Sequence, residues 1–157
     1  MLDERDHRLA LRHIISPGPV PPVRLSSACF KIGSFTALVG ISIGICMGIS
    51  QNHSLAPVHV HLNLIGWVGM FLFRLFYKPH QSAVLFAAVL QVAFSVVGYV
   101  TMLSGLAAFL LTGNQAFQPL AVIGALLVWV GVAMFFIIVA RALWCKHRSN
   151  AFPEFSA

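Results

Sequence analysis

The stretch PHQSAVLFAAVLQVAFSVVGYVTMLSGLAAFLLTGNQAFQPLAVIGALLVWVGVAMFFIIVA, residues 79–140, runs for 62 positions without an Asp, Glu, Lys or Arg. One transmembrane helix needs about 20 apolar residues. A single helix through the whole stretch would be roughly 90 Å long at about 1.5 Å per residue, far more than a bilayer. The polar break Thr112-Gly113-Asn114-Gln115, ahead of Pro119, divides it into two crossings.

Upstream the pattern repeats. Residues 32–73 are also free of Asp, Glu, Lys and Arg, over 42 positions. Ser50-Gln51-Asn52-His53-Ser54 interrupts that run, and Pro57 follows at a first-turn position. Arg74, Lys78 and Pro79 separate the two runs. The expected spans are about 30–50, 57–77, 82–111 and 118–143. The expected fold class is all-α, a four-transmembrane-helix bundle.

Composition supports this reading. Only 9% of the 157 residues are charged, against about 25% in a soluble domain. The basic residues are grouped. Arg5, Arg8, Arg12, Arg24 and Lys31 precede the first span, Arg74 and Lys78 lie at the middle turn, and Arg141, Lys146 and Arg148 close the last span. The two opposite turns carry neither Lys nor Arg. An excess of Lys and Arg marks cytoplasmic segments, so both termini and the middle turn are expected inside. The net charge of +6 is then a matter of topology, and no nucleic-acid partner is expected.

The expected domains are a largely disordered cytoplasmic tail over 1–27, the four-helix transmembrane domain over 28–146, and a short cytoplasmic tail over 147–157. The first of these is charged and then Pro-rich, with Pro17, Pro19, Pro21 and Pro22, a composition that cannot build a core. It lacks the basic, apolar, small-residue order of a cleavable signal peptide. Cys29, Cys46 and Cys145 form no CxxC pair, so neither a disulfide framework nor a thiolate metal site is expected.

All four acidic residues, Asp3, Glu4, Asp6 and Glu154, are in the tails. No carboxylate is available inside the spans as a proton relay or an acid/base catalyst. There is no Ser-His-Asp set and no phosphate loop. No catalytic residue is assigned, and an enzyme is not expected.

The intramembrane chemistry is that of imidazole. Seven histidines divide by topology. His7, His13, His80 and His147 fall among polar residues on the basic side. His53, His59 and His61 lie within nine residues on the other side, the last two in Pro57-Val58-His59-Val60-His61-Leu62-Asn63-Leu64-Ile65-Gly66-Trp67. An ionisable residue inside a span costs free energy and is a functional hypothesis by default. Positions i and i+2 of a helix differ by about 200°. His59 and His61 therefore point to opposite flanks and cannot chelate one metal from one helix. The His59 flank continues through Asn63, Gly66 and Met70, and the His61 flank through Ile65, Val68 and Leu72. A flat macrocycle such as haem can stand on either side, its iron taking one neutral imidazole and its ring an apolar wall. The alternative is that both histidines hydrogen-bond to Ser, Asn or backbone groups of neighbouring helices.

The segment His59–Trp67 resembles small four-helix membrane proteins related to the catalytic subunit, subunit I, of the haem–copper oxidases, and the oxidase helix that carries His-x-His. In those oxidases the two histidines serve two haems on opposite faces of that helix. The oxidase core is twelve helices in pseudo-threefold array, so the resemblance implies a homotrimer that mimics it. It also implies bis-histidine haem b shared between His59 of one subunit and His61 of the next, and a location in the bacterial inner (cytoplasmic) membrane. His59, His61, Asn63, Gly66 and Trp67 are the candidate cofactor residues. His53 is a further candidate metal ligand, with copper as a second candidate metal. The third and fourth spans hold no histidine, so a copper–haem oxygen-reducing centre is not expected.

Packing signals complete the sequence. Gly40, Gly44 and Gly48 recur every four residues, a spacing that lets helix backbones approach. Gly98 and Gly105, and Gly124 and Gly131, recur at seven. Gln91, Ser95, Tyr99 and Met102 form one polar stripe expected to face the interior or a neighbouring subunit. Three readings stay open at this level. The first is a haem b cytochrome acting in electron transfer or haem-dependent sensing, with a redox protein or a quinone as partner. The second is a copper or haem handling protein, and the third a structural subunit of a respiratory complex.

Overall fold

A computed structural model describes residues 23–79 and 85–151. Most of the expected N-terminal tail, and residues 80–84 and 152–157, lie outside the described residues. The elements are α1 (Val23–Ser50), α2 (Ala56–His61), a π-helical segment (Leu62–Gly69), α3 (Met70–Tyr77), α4 (Leu85–Thr112), a 3₁₀ turn (Gln115–Phe117) and α5 (Gln118–Ala151). Among the described residues there is no strand. α2, the π segment and α3 run on as one rod. The result is four helices, Leu25–Ser50, Ala56–Tyr77, Phe86–Thr112 and Gln115–Trp144, each long and apolar enough to cross a bilayer. This is the build of a multi-pass membrane protein.

The helix limits follow from local chemistry. The described part of α1 begins at Val23, within the expected 1–27 tail. α1 stops at Gln51, which adopts a left-handed φ of 54°. The Gln51 amide donates to the Gly48 carbonyl at 2.6 Å and so covers a helix-end acceptor. The loop is then tied by Asn52, whose Oδ1 accepts from the Ser54 amide and hydroxyl. Pro57 stands in the first turn of α2. α4 ends at Gly113, with φ of 68° and its N–H bonded to the Phe109 carbonyl. Asn114 then accepts from the Ala116 N–H to open the next turn. α5 runs through Ala151, past the expected limit near 143.

The chain packs as two antiparallel hairpins. In one, α1 lies along the second span. Thr36 fills the space left by the missing side chain of Gly66, and Met70 does the same at Gly33. In the other, α4 lies along α5, with Gly98 against the Val128 backbone, Gly124 against Met102 and Gly131 against Ser95. The glycines spaced at seven are the seam of this second hairpin, as their spacing indicates. Gly40 and Gly44 serve the first hairpin, whereas Gly48 faces open space.

The hairpins meet along α4, which lies against α2 and the π segment, and through aromatic rings near the Arg74 end. Phe135 of α5 packs its ring against Phe73, Phe76 and Tyr77 of α3, at centroid distances of 4.7, 5.4 and 6.0 Å. Tyr77 donates its hydroxyl to Gln91 Oε1 at 2.9 Å, and Gln91 Nε2 donates to Ser95 Oγ at 3.0 Å. The polar stripe of α4 is fully interior: Gln91, Ser95, Tyr99 and Met102 are all buried. Much apolar surface is left outside, including Leu64, Phe86, Trp129 and Phe136, as bilayer-facing helices require.

Candidate cofactor site on the second span

The second span changes pitch at the histidines. α2 carries His59 and His61 in regular α geometry and gives way to the π segment at Leu62, so the opposed directions of the two rings hold. On a regular helix, residues four apart drift by about 40° per step. The wider π turn removes that drift. Val58, Leu62, Gly66 and Met70 stay on one buried line although each is four residues from the last. π segments inside helices are rare and cluster at functional sites.

His59 faces α1. Its Nδ1 lies 2.8 Å from the Gly40 carbonyl oxygen. A carbonyl can only accept, so Nδ1 carries a proton in this contact. The Asn63 amide is 3.4 Å from the same nitrogen, but its short bond, 2.8 Å, donates to the His59 carbonyl. The ring rests on Gly44, where a Cβ would stand 2.8 Å from His59 Cε1. Asn63 lies over Gly40, where a Cβ would stand 2.7 Å from its Nδ2.

His61 faces away from α1. Its Nδ1 lies 2.7 Å from the Pro57 carbonyl oxygen, one turn earlier in its own helix. The same reasoning puts a proton on its Nδ1. Neither Nε2 has a hydrogen-bond partner among the described residues. Among the described residues every buried side-chain nitrogen or oxygen has one, so both Nε2 atoms reach the surface. A ring nitrogen anchored to a carbonyl, with the other left open, is the arrangement that orients a histidine ligand.

The remaining candidates separate. Asn63 belongs to the His59 flank. Gly66 holds Thr36, whose hydroxyl bonds back to the Gly33 carbonyl at 2.8 Å. It is a helix-packing position. Trp67 lies two turns below His59, beside Cys29, Phe30, Gly33 and Phe71. His53 is exposed in the loop. Val68 and Leu72 of the His61 flank are exposed, and Ile65 is half-buried.

Among the described residues no three His, Cys, Asp or Glu side chains converge. His59 and His61 stand on opposite flanks of the helix and do not share a site. A cleft of about 530 Å³ opens between α1, the 52–55 loop and Leu111. It is lined by Val39, Ile43, Cys46 and Met47 and carries no charged residue.

Sequence reasoning missed two partners, the Gly40 carbonyl and the Gly44 notch. The signal was present. Gly40 and Gly44 are four apart, as are Asn63 and His59, and antiparallel pairing of the two rows puts each glycine under one polar side chain. No protein-family model, characterised protein or solved structure matches the chain.

Proposed function

We propose that this protein is a haem b-binding membrane cytochrome of haem–copper-oxidase-like architecture, acting in electron transfer or haem-dependent sensing. The observation that carries the reading is the pair of imidazoles on opposite flanks of one helix, each anchored through Nδ1 and open at Nε2. Neutral imidazole is the axial ligand haem iron takes. Val60, Leu64, Val68 and Leu72 are exposed around the His61 flank and supply the apolar wall a porphyrin needs.

The two flanks differ, so a haem between two copies takes His59 from one and His61 from the other. Such a head-to-tail contact forms a ring when its rotation closes. A homotrimer with one haem per interface is the assembly we assign, by resemblance to the threefold oxidase core. The grouping of Arg74, Lys78 and Arg141 at the end away from the histidines supports a reading with both termini cytoplasmic and the histidines toward the outer face, in a bacterial inner membrane by the same resemblance. The uncharged cleft beside Val39 and Ile43 is where a quinone-class carrier would approach the His59 flank.

The test is an optical spectrum of detergent-purified protein, oxidised and then reduced with dithionite. Sharp low-spin haem b bands are expected, lost in His59→Ala and in His61→Ala while both variants stay folded. A chain that remains colourless after haem is added, or that keeps full haem in both variants, overturns the proposal.

A further inference from the structure

We infer that Gly44 and the Gly40 carbonyl of α1 are the positioning elements that fix the tautomer and direction of His59. His59 therefore becomes a competent ligand only when α1 is docked on the second span. The inference deepens the cytochrome reading, but its central test needs no cofactor.

The two histidines are held in different ways. His61 is anchored to Pro57, four residues away in the same helix. That bond forms whenever α2 forms. His59 is anchored to Gly40, 19 residues away on another helix. In the folded chain His59 makes no such bond within α2; its Nδ1 is given to the Gly40 carbonyl of α1.

Gly44 supplies the room. A methyl group there would stand 2.8 Å from His59 Cε1 and 3.2 Å from Nδ1, closer than carbon atoms pack. The ring can give way by turning about its own side-chain bonds, so the clash is relieved by moving His59 rather than by unfolding the bundle. Turning the ring breaks the bond to Gly40 and frees either nitrogen to carry the proton. Gly48, one turn on, has nothing within 4 Å of its missing Cβ. It provides the same chemical change on the same helix with no contact to lose.

The experiment uses the full chain in detergent, labelled with ¹⁵N in the histidine rings. In the wild type, His59 and His61 should both show a protonated Nδ1 and a bare Nε2, assigned by the His59→Gln and His61→Gln variants. Gly44→Ala should turn the His59 signals into a mixture of tautomers and leave those of His61 unchanged. Gly48→Ala should change neither. Unchanged His59 signals in Gly44→Ala, or an equal change in Gly48→Ala, overturn the inference.

A second measurement separates it from the cytochrome reading. Haem is added to each variant and the spectrum recorded. Gly44→Ala should move the spectrum from six-coordinate low-spin toward five-coordinate high-spin, and Gly48→Ala should match the wild type. If wild type binds no haem while the tautomer shift appears, the cytochrome reading fails and the positioning role stands. If wild type binds haem and Gly44→Ala leaves both readouts unaltered, the positioning role fails alone.

Discussion

The Nδ1 of His59 lies 2.8 Å from the carbonyl oxygen of Gly40, on a different helix. This one bond joins the packing of α1 on the second span to the protonation pattern of an intramembrane imidazole. The same register, continued, sets Asn63 over Gly40, Thr36 against Gly66 and Met70 against Gly33.

Asn63 donates to the His59 carbonyl at 2.8 Å where the helix passes from α to π pitch. Asn63→Ala removes that bond and the contact over Gly40. The expected loss is about 1 kcal/mol, in the range of hydrogen bonds inside membrane bundles. An unfolding titration in mixed detergent micelles reads it, and a loss indistinguishable from zero would show that the amide contributes no net stability.

Gln91 stands between Tyr77 and Ser95, buried with no exposed surface. Gln91→Leu leaves the Tyr77 hydroxyl without an acceptor and should cost about 2 kcal/mol, since a stranded buried polar group costs roughly 1–3 kcal/mol. Adding Tyr77→Phe removes the stranded hydroxyl and should recover part of that. A double-mutant cycle on the two positions measures the coupling, and strict additivity would contradict the bond.

Phe135 touches three rings of α3 and is an apolar link between the hairpins. Phe135→Ala should cost about 3 kcal/mol, at the low end for truncating a packed Phe. The hairpins should separate before either unfolds. Fluorescent labels on α1 and α5 would report that separation as a transition preceding loss of helicity.

Gly113 has φ of 68° and open space around its missing Cβ. Any penalty for a side chain there comes from the backbone alone. Gly113→Ala should cost about 1 kcal/mol and Gly113→Asn less, because Asn tolerates the left-handed region. Equal losses in the two variants would place the cost elsewhere.

Much of the architecture was legible in the residues. The charge-free runs and their breaks at Ser50–Ser54 and Thr112–Gln115 predict four helices, and four are present. The seven-residue glycine spacing fits tight seams and the Gln91-Ser95-Tyr99 stripe an interior or intersubunit face; the glycines lie between α4 and α5 and the stripe is buried. The four-residue spacing of Gly40, Gly44 and Gly48 suggests three equal contacts. Only two occur, because α1 outlasts its contact with α2 near the loop. Trp67, a candidate cofactor residue, lies beside Cys29 and Gly33.

What the sequence alone determined was the set of elements and the opposed directions of His59 and His61. Both follow from local quantities: the hydropathy of each segment, the positions of polar breaks and prolines, and the angle between residues i and i+2 of a helix. What only the tertiary structure decided was which nitrogen of His59 holds the proton, and that Gly40 and Gly44, rather than Gly48, receive the second span. Those depend on which residues of two helices come to the same height. That height is set by packing summed along the whole hairpin, from Gly33 on Met70 to Gly44 on His59, and by a π turn that no residue spacing in Leu62–Gly69 announces.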